Sequence, residues 1–367
     1  MIKTHLRQIR LHLGTHIDSL LLNFILALMM LGLVILYSAS GQDLGKTTSQ
    51  MVNMAVALIL MWIVAKIPPP HLARFALPAY VLGLLLLIGV ALFGDVSHGA
   101  RRWLNIGIRI QPSEMMKLAV PLMLAWYLDR REKTLNLKDF GVAALMLLAP
   151  VGLIIKQPDL GTALLISAAG FYVLFLAGLS WRIILGMLIV AAASAPILWS
   201  LLHEYQRQRI LTLIDPSQDP LGSGYHIIQS NIALGSGGVF GKGWFNGTQA
   251  HLDFLPERTT DFIFAVYAEE FGMAGNLILV ALYVLVIGRG LVIAAKAPTL
   301  FSRLLAGGIT LTFFTYAFVN MGMVSGILPV VGVPLPLISY GGTSMVTLLV
   351  GFGMLMSIQT HRKLVQS

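Results

Sequence analysis

The chain has 367 residues, of which 57% are hydrophobic and only 11% are charged. A soluble protein needs polar side chains over its surface, so this composition excludes a soluble domain and indicates a polytopic membrane protein. The absence of cysteine excludes disulfides, thiolate metal sites and a cysteine nucleophile. The net charge of +9 is typical of lysines and arginines placed beside anionic lipid, so we expect no nucleic-acid partner.

Ten apolar segments, each near the ~20 residues that a bilayer requires, predict an all-α fold with ten transmembrane helices. The predicted spans are 18–38, 49–66, 72–93, 113–128, 139–155, 160–178, 181–202, 261–288, 302–327 and 343–360. Residues 1–17 are predicted to form a short interfacial helix, since their apolar side chains share one helical face. We expect the whole chain, 1–367, to form a single membrane domain.

The basic residues of the loops predict the orientation of these spans. They are more numerous in the loops that share a side with the N-terminus, so we expect both termini in the cytoplasm. The opposite, outer side then carries two notable connections. One is a large loop between the seventh and eighth spans, 203–260, and the other is a Pro/Gly-rich loop, 328–342.

Charged residues at the outer ends of the predicted spans are the first candidates for a site. Glu114 and Lys117 are three residues apart, so they share a helix face. A charge pair this deep is costly and normally faces a cavity, although it can also be an ion pair that locks two helices. Asp159 begins the sixth span. Asp261, in the stretch PERTTDFIFAVYAEEFG, is either an N-cap or a functional group in the first helical turn.

Two glutamates follow Asp261 in the same predicted helix. Glu269 and Glu270 point in other directions around the helix axis, so the three carboxylates cannot all face one cavity. We expect the two glutamates to form hydrogen bonds with neighbouring helices.

Two further stretches are rich in glycine or proline. GSGGVFGKGW, 235–244, is predicted to form tight turns that let the backbone approach a neighbouring group closely, although the sequence does not identify that group. The preceding YHIIQSNIAL is predicted to be a short amphipathic helix. GILPVVGVPLPLISYGGTS, 326–344, cannot be a helix because of its prolines. A re-entrant segment of this kind is tolerated only where it is buried or lines a cavity.

Several motifs together resemble one known family. They are IQPSEMMK (110–117), QPDLGT (157–162), YQRQR (205–209), DPLGSGYHIIQS (219–230), FLPERTTDFIFAVYAEEFG (254–272) and SYGG (339–342). These motifs resemble those of the SEDS family (shape, elongation, division and sporulation), whose members are RodA, FtsW and SpoVE. The resemblance covers essentially the whole chain, and YQRQR and GYHIIQS are most similar to the RodA members.

The resemblance implies a function. It implies a peptidoglycan glycosyltransferase that polymerises lipid II into glycan strands at the outer face of the bacterial inner membrane during cell elongation. It also implies work with a class B penicillin-binding protein, which crosslinks the product, and with other membrane proteins of the elongation machinery. The essential aspartate of the family matches Asp261.

The chemistry of lipid II suggests roles for the outer charges. A carboxylate can accept the proton of the acceptor sugar hydroxyl, so Asp261 is the candidate general base. The leaving polyprenyl pyrophosphate needs fixed cations. The candidates for binding it or lining its groove are Arg101, Arg109, Glu114, Lys117, Asp159, Arg207, Arg209, Lys242, Arg258, Ser339 and Tyr340. A divalent cation, Mg²⁺ or Mn²⁺, held by Asp261 could share this work, and the sequence leaves arginine and metal open.

Two other functions stay open at this stage. The chain could be a flippase or transporter of lipid II, which ten spans with intramembrane charges would suit, although transporters place their sites near the midplane of the membrane. It could also be a non-catalytic scaffold for a penicillin-binding protein. We expect the transfer reaction to invert the donor anomeric carbon, because no second carboxylate nucleophile is evident.

Overall fold

The computed structural model describes residues 16–97, 100–105, 109–202, 204–219, 222–252 and 254–361. The interfacial helix predicted at 1–17 lies almost wholly outside these residues. The described residues contain thirteen α-helices, which are, in chain order, α1 Ser19–Ala39, α2 Leu44–Ala65, α3 Pro69–Phe93, α4 Pro112–Arg130, α5 Leu137–Lys156, α6 Leu160–Leu176, α7 Trp181–Leu201, α8 Glu204–Ile214, α9 Ser223–Ser236, α10 Thr248–His251, α11 Ile263–Ala295, α12 Leu300–Val324 and α13 Gly342–Thr360.

The predicted all-α fold is confirmed, and each of the ten predicted spans coincides with one long helix. Seven of these helices are long and apolar enough to cross a membrane, namely α1, α2, α3, α5, α11, α12 and α13. Helix α6 and the apolar part of α7 are shorter, and α4 carries a buried charge pair. The chain is therefore a multi-pass membrane protein, and the number of ten spans stays a prediction.

The helix ends follow ordinary capping chemistry. The Asp43 carboxylate accepts the N–H groups of Gly45 and Lys46 at the start of α2. Asn136 and Asp139 form a capping box at the start of α5. Prolines occupy the first turn of α3 and of α4, where a missing N–H costs nothing.

The bundle is centred on α4 and α12. Two-thirds of the apolar window of α12 is buried, and it packs against α4, α6 and α11, while α13 packs against α2. Helix α7 is the exception, because it makes no extensive contact with another helix among the described residues. Its apolar side chains, such as Leu188 at 62% exposure, are left for the lipid.

A small antiparallel sheet precedes α4, and the sequence did not predict it. Its strands are β1 Asp95–Ser97, β2 Ala100–Asn105 and β3 Arg109–Ile110, in the order β1-β2-β3. Strand β2 pairs with both neighbours, with Leu104 opposite Ile110 and Val96 opposite Arg101. The sheet therefore lies directly before the beginning of α4.

Helix α11 is broken near its start. Gly272 has φ 65° and ψ −162°, a conformation open essentially only to glycine, and the backbone hydrogen-bond ladder is interrupted there. Four backbone hydrogen bonds of 2.9 to 3.0 Å instead join residues 238–243 to residues 269–274. A Cβ on Gly272 would lie 2.3 Å from the N atom of Gly241. The predicted tight turns and close backbone approach of 235–244 are thus confirmed, as is the short helix before them, now α9.

The second half of the Pro/Gly-rich loop between α12 and α13 is buried at residues 335–339, and side chains form hydrogen bonds with the loop backbone. The Asn320 side chain donates to the carbonyl of Val333 at 2.7 Å, and the hydroxyl of Tyr283 donates to that of Pro336 at 2.7 Å. The amide of Gln50 donates to the Ser339 carbonyl and accepts from the N–H of Gly341. These bonds let irregular backbone lie inside a membrane protein.

Candidate active site

Asp261 lies in the turn before α11, and its backbone is held by the Pro/Gly-rich loop. The Asn320 side chain donates to the Asp261 carbonyl at 2.8 Å. The Ser339 hydroxyl donates to the Thr260 carbonyl at 2.6 Å, and the Tyr340 N–H donates to the Thr259 carbonyl at 2.9 Å. Two segments far apart in sequence therefore fix the position of one carboxylate.

The Asp261 carboxylate is not the cap of α11. The helix begins at Ile263 with Phe262 at the N-cap position, and no side chain caps it. A Cβ added to Gly332 would lie 3.4 Å from Asp261 Oδ2, so the carboxylate faces a glycine of the opposite loop.

Burial raises the pKa of Asp261 to about 6. The negative charge of Glu257 adds to this rise in pKa, and the positive charge of Arg102 opposes it.

A cavity of about 550 Å³, with Gly332 in its lining, lies where α4 and α6 begin. Its charged lining comes from β2, α4 and α6, and comprises Arg102, Glu114, Lys117 and Asp159. The beginning of α13 completes the wall with residues 341–344. A cavity with two cations and an ionisable aspartate at its edge is suited to an anionic ligand that must also lose or accept a proton.

The charges of this cavity form two ion pairs. Lys117 Nζ lies 2.5 Å from Glu114 Oε1 and 5.0 Å from the centre of the Tyr316 ring, and the lysine is only 6% exposed. Arg102 Nε lies 3.5 Å from Asp159 Oδ2, and Asp159 also accepts the hydroxyl of Thr162 at 2.9 Å. The predicted sharing of one helix face by Glu114 and Lys117 is confirmed.

The structure brings together some of the predicted site residues and separates others. Glu114, Lys117 and Asp159 line the cavity, and Asp261 adjoins it. Ser339 and Tyr340 hold the turn that carries Asp261.

The other predicted cations, most of them in the large loop, are placed differently. Arg207 donates to the carbonyls of Trp199 and Ser200 at the end of α7, and Lys242 is bound to Glu269 at 2.7 Å. Arg209 and Arg258 are not among the described residues that line the cavity. Arg101 lies in β2 and Arg109 in β3, and their side chains are outside the described part of the structure.

The two glutamates of α11 bond to neighbouring helices, as expected, and Glu269 also binds Lys242 in the turn before α10. Glu269 is fully buried and accepts hydrogen bonds from the N–H groups of Thr248 and Gln249 as well as from Lys242. Glu270 accepts the hydroxyl of Ser38 on α1. Both carboxylates therefore fasten the broken start of α11 to its surroundings.

Sequence reasoning did not select Arg102, Glu257 or Asn320 for the site. Arg101 and Arg102 are adjacent, and in a strand adjacent side chains point to opposite faces. With no strand predicted, nothing distinguished Arg102 from its neighbours. The signal for Asn320 was its place in the predicted ninth span, where a buried amide needs partners.

A divalent cation would find few protein ligands here. The described residues contain no group of three or more histidine, cysteine or acidic side chains placed to hold a metal. Asp261 and Glu257 are the two carboxylates that interact electrostatically at the site. Mg²⁺ is commonly held by one or two carboxylates together with substrate phosphates, so this pair fits an ion that arrives with a phosphorylated ligand.

Comparison with known proteins points to one family. The family described as "Cell cycle protein", FtsW/RodA/SpoVE, matches residues 18–364. The chain is 54% identical over 351 residues to the peptidoglycan glycosyltransferase MrdB of Escherichia coli (strain K12), a match that covers 95% of each chain. It is 31% identical over 423 residues to the peptidoglycan glycosyltransferase RodA of Treponema pallidum (strain Nichols), covering 94% of this chain and 98% of that one.

A solved structure is also similar over most of the chain. It is described as "Structural coordination of polymerization and crosslinking by a peptidoglycan synthase complex". It is 34% identical, with a TM-score of 0.83, and the match covers 94% of this chain and 98% of that chain.

Proposed function

This chain belongs to the FtsW/RodA/SpoVE family of cell cycle proteins, the SEDS family, and from that premise we infer that it is a peptidoglycan glycosyltransferase. We propose that it polymerises lipid II at the outer face of the bacterial inner membrane during cell elongation, with both termini in the cytoplasm. The observation that carries the catalytic assignment is the Asp261 carboxylate, whose pKa burial raises to about 6, next to a cavity with two cations.

Asp261 is proposed as the general base. A carboxyl group with a pKa of about 6 is mostly ionised at pH 7, yet it is more basic than an ordinary aspartate. It takes the proton of the acceptor sugar hydroxyl as that oxygen bonds to the donor anomeric carbon. The bond from this carbon to the pyrophosphate breaks, and the polyprenyl pyrophosphate leaves with the electron pair. One displacement of this kind inverts the anomeric carbon.

Arg102 and Lys117 are proposed to stabilise the leaving pyrophosphate. Both line the cavity, and fixed cations in a site shielded from water stabilise developing negative charge. Glu114 and Asp159 hold these two cations in place through their ion pairs. If a divalent cation accompanies the substrate, Asp261 and Glu257 would be its protein ligands, and it would supply further neutralisation of the pyrophosphate.

We propose a class B penicillin-binding protein as the partner, together with other membrane proteins of the elongation machinery. The support is the similar solved structure, which is described as a synthase complex that coordinates polymerization and crosslinking.

The test is glycan-strand synthesis from labelled lipid II by the purified full-length protein in detergent. Asp261→Asn should lose on the order of 10²-fold or more in rate, the scale of a lost general base. The matched control is Asp43→Asn at the N-cap of α2, where asparagine caps as well as aspartate. Near-normal synthesis by Asp261→Asn would refute the assignment.

The same assay separates the other two functions. Detergent removes the two compartments that a flippase needs, so polymerisation by wild type in detergent is not explained by transport. A wild-type protein that makes no strands, yet moves lipid II across vesicles or stimulates a penicillin-binding protein, would favour the flippase or the scaffold.

A further inference from the structure

A second cavity lies at the other end of α4. It has a volume of about 740 Å³ and opens between the beginning of α3, the end of α4, the turn before α12 and the end of α13. Arg130 lies sixteen residues beyond Glu114 along α4, which at 1.5 Å per residue is roughly 24 Å. The second cavity is therefore separate from the candidate active site, and the proposed reaction does not use it.

Two arginines give the second cavity a positive charge. Arg74 and Arg130 both line it and are both exposed. The Arg130 guanidinium lies 4.3 Å from the centre of the Trp126 ring, and among the described residues neither arginine forms an ion pair. The nearby Asp129 forms no ion pair with either of them, and its Oδ1 accepts the N–H of Phe301 at 2.8 Å in the first turn of α12.

The remaining polar groups of this cavity are engaged elsewhere. The hydroxyl of Thr299 donates to that of Ser302 and accepts the Ser302 N–H, and His361 contacts the Ser357 carbonyl at 3.0 Å and stacks on His16. The hydrogen-bond donors that stay available to a ligand are therefore the guanidinium groups of Arg74 and Arg130.

The other walls of the cavity are apolar. They comprise Leu77, Pro78, Trp126, Phe301 and Ile358. Leu77 lies in a predicted membrane span and is 46% exposed, so its apolar side chain is accessible to lipid. Paired guanidinium groups suit a phosphate, while apolar walls between helices suit a hydrocarbon chain. A free phosphate would contact the guanidinium groups but not the apolar walls.

We propose that this cavity binds an anionic phospholipid. The headgroup phosphate lies between Arg74 and Arg130, and an acyl chain runs along Leu77, Pro78 and Trp126. Basic cavities between transmembrane helices at the end of a bundle are a recurring form of lipid recognition. The inference rests on the membrane location of the chain and not on the glycosyltransferase reaction, so either can fail without the other.

The test counts lipids retained by the purified full-length protein in native mass spectrometry. Phosphatidylglycerol, which is anionic, is titrated against phosphatidylcholine, which has no net charge. The double variant Arg74→Gln/Arg130→Gln should bind the first phosphatidylglycerol about 30-fold more weakly, since each basic residue near an anionic headgroup contributes about a factor of five in affinity. The matched control is Arg182→Gln, an exposed arginine at the beginning of α7 that does not line the cavity.

A second variant keeps both arginines and blocks the chain. Leu77→Trp fills the apolar wall, so it should weaken phosphatidylglycerol binding at unchanged charge, and it decides the matter if the double variant fails to fold. Inorganic phosphate is added as the third probe, and it should neither displace the lipid nor raise the melting temperature. Wild-type affinity in the variants, equal binding of the two lipids, or displacement by inorganic phosphate would each overturn the proposal.

Discussion

At the scale of single residues, Asp261 titrates under the influence of two opposing neighbours. Burial and, to a smaller extent, the negative charge of Glu257 raise its pKa, the positive charge of Arg102 lowers it, and the net value is about 6. A general base must be deprotonated, so kcat/KM should fall about tenfold per pH unit as the pH drops below about 6. An aspartate with the ordinary pKa of 3.8 would keep full activity down to about pH 5.

Two substitutions should move this acidic limb in opposite directions. Glu257→Gln removes a negative charge, so the limb should shift to lower pH. Arg102→Gln removes a positive charge, so the limb should shift to higher pH, whatever the loss in absolute rate. The measurement is the pH profile of lipid II polymerisation for wild type and both variants. A limb that stays at one pH in all three proteins would show that another group titrates.

The raised pKa also predicts an effect on stability. Between pH 3.8 and about 6 the folded chain holds a proton on Asp261 that the unfolded chain has lost. The contribution of this group to stability therefore falls as the pH rises through that window, by up to about 3 kcal/mol. Asp261→Asn should melt at a higher temperature than wild type at pH 7, and the difference should vanish near pH 4. A lower melting temperature at pH 7 would contradict this.

Some site residues could be predicted from the sequence because a charge in an apolar segment is costly unless it has a purpose. Asp261, Glu114, Lys117 and Asp159 carry that signal. Lys242 does not lie at the cavity, since it is bound to Glu269. This partner is 27 residues away in the sequence, so no local pattern predicts the pair. Sequence can locate unusual charges, but it cannot tell which of them are already neutralised by a distant residue.

At the scale of elements, the break in α11 depends on one glycine. Gly272→Ala would place a Cβ 2.3 Å from the N atom of Gly241, in a backbone conformation that alanine avoids. It should lower the unfolding free energy by at least about 2 kcal/mol. The matched control lies in the same helix, where a Cβ on Gly288 meets no heavy atom within 4 Å.

Gly288→Ala should therefore be neutral or stabilising by up to about 1 kcal/mol. Thermal unfolding in detergent measures both variants. Equal melting temperatures for the two alanine variants would show that the join between residues 238–243 and 269–274 is not needed for stability.

Long helices were predictable because the thickness of the bilayer imposes their length, and all ten predicted spans coincide with helices. The sheet before α4 was not, because its strands of 3, 6 and 2 residues are too short to show a period. The break at Gly272 could not be predicted for another reason. A glycine inside an apolar run is compatible with an ordinary helix, and the sequence does not show that residues 238–243 pack against it.

At the scale of the whole molecule, the absence of cysteine makes the predicted orientation easy to test. Phe240, at 84% exposure in the large loop, and Lys133, exposed between α4 and α5, are each replaced by cysteine. A membrane-impermeant maleimide should label Phe240→Cys in spheroplasts with intact inner membranes. It should label Lys133→Cys only after the membrane is opened. The reverse pattern would invert the chain and place the proposed site in the cytoplasm.

The break in α11 has a kinetic consequence for the end of the molecule that carries the large loop. Residues 238–243 and 269–274 satisfy each other's backbone groups, so neither segment can expose its amides to solvent while the other stays closed. The N–H groups of Lys242, Gly243, Met273 and Ala274 should therefore exchange with deuterium at one common rate, as a single cooperative opening unit. Separate rates for the two segments would mean that the large loop and residues 269–274 of α11 move independently.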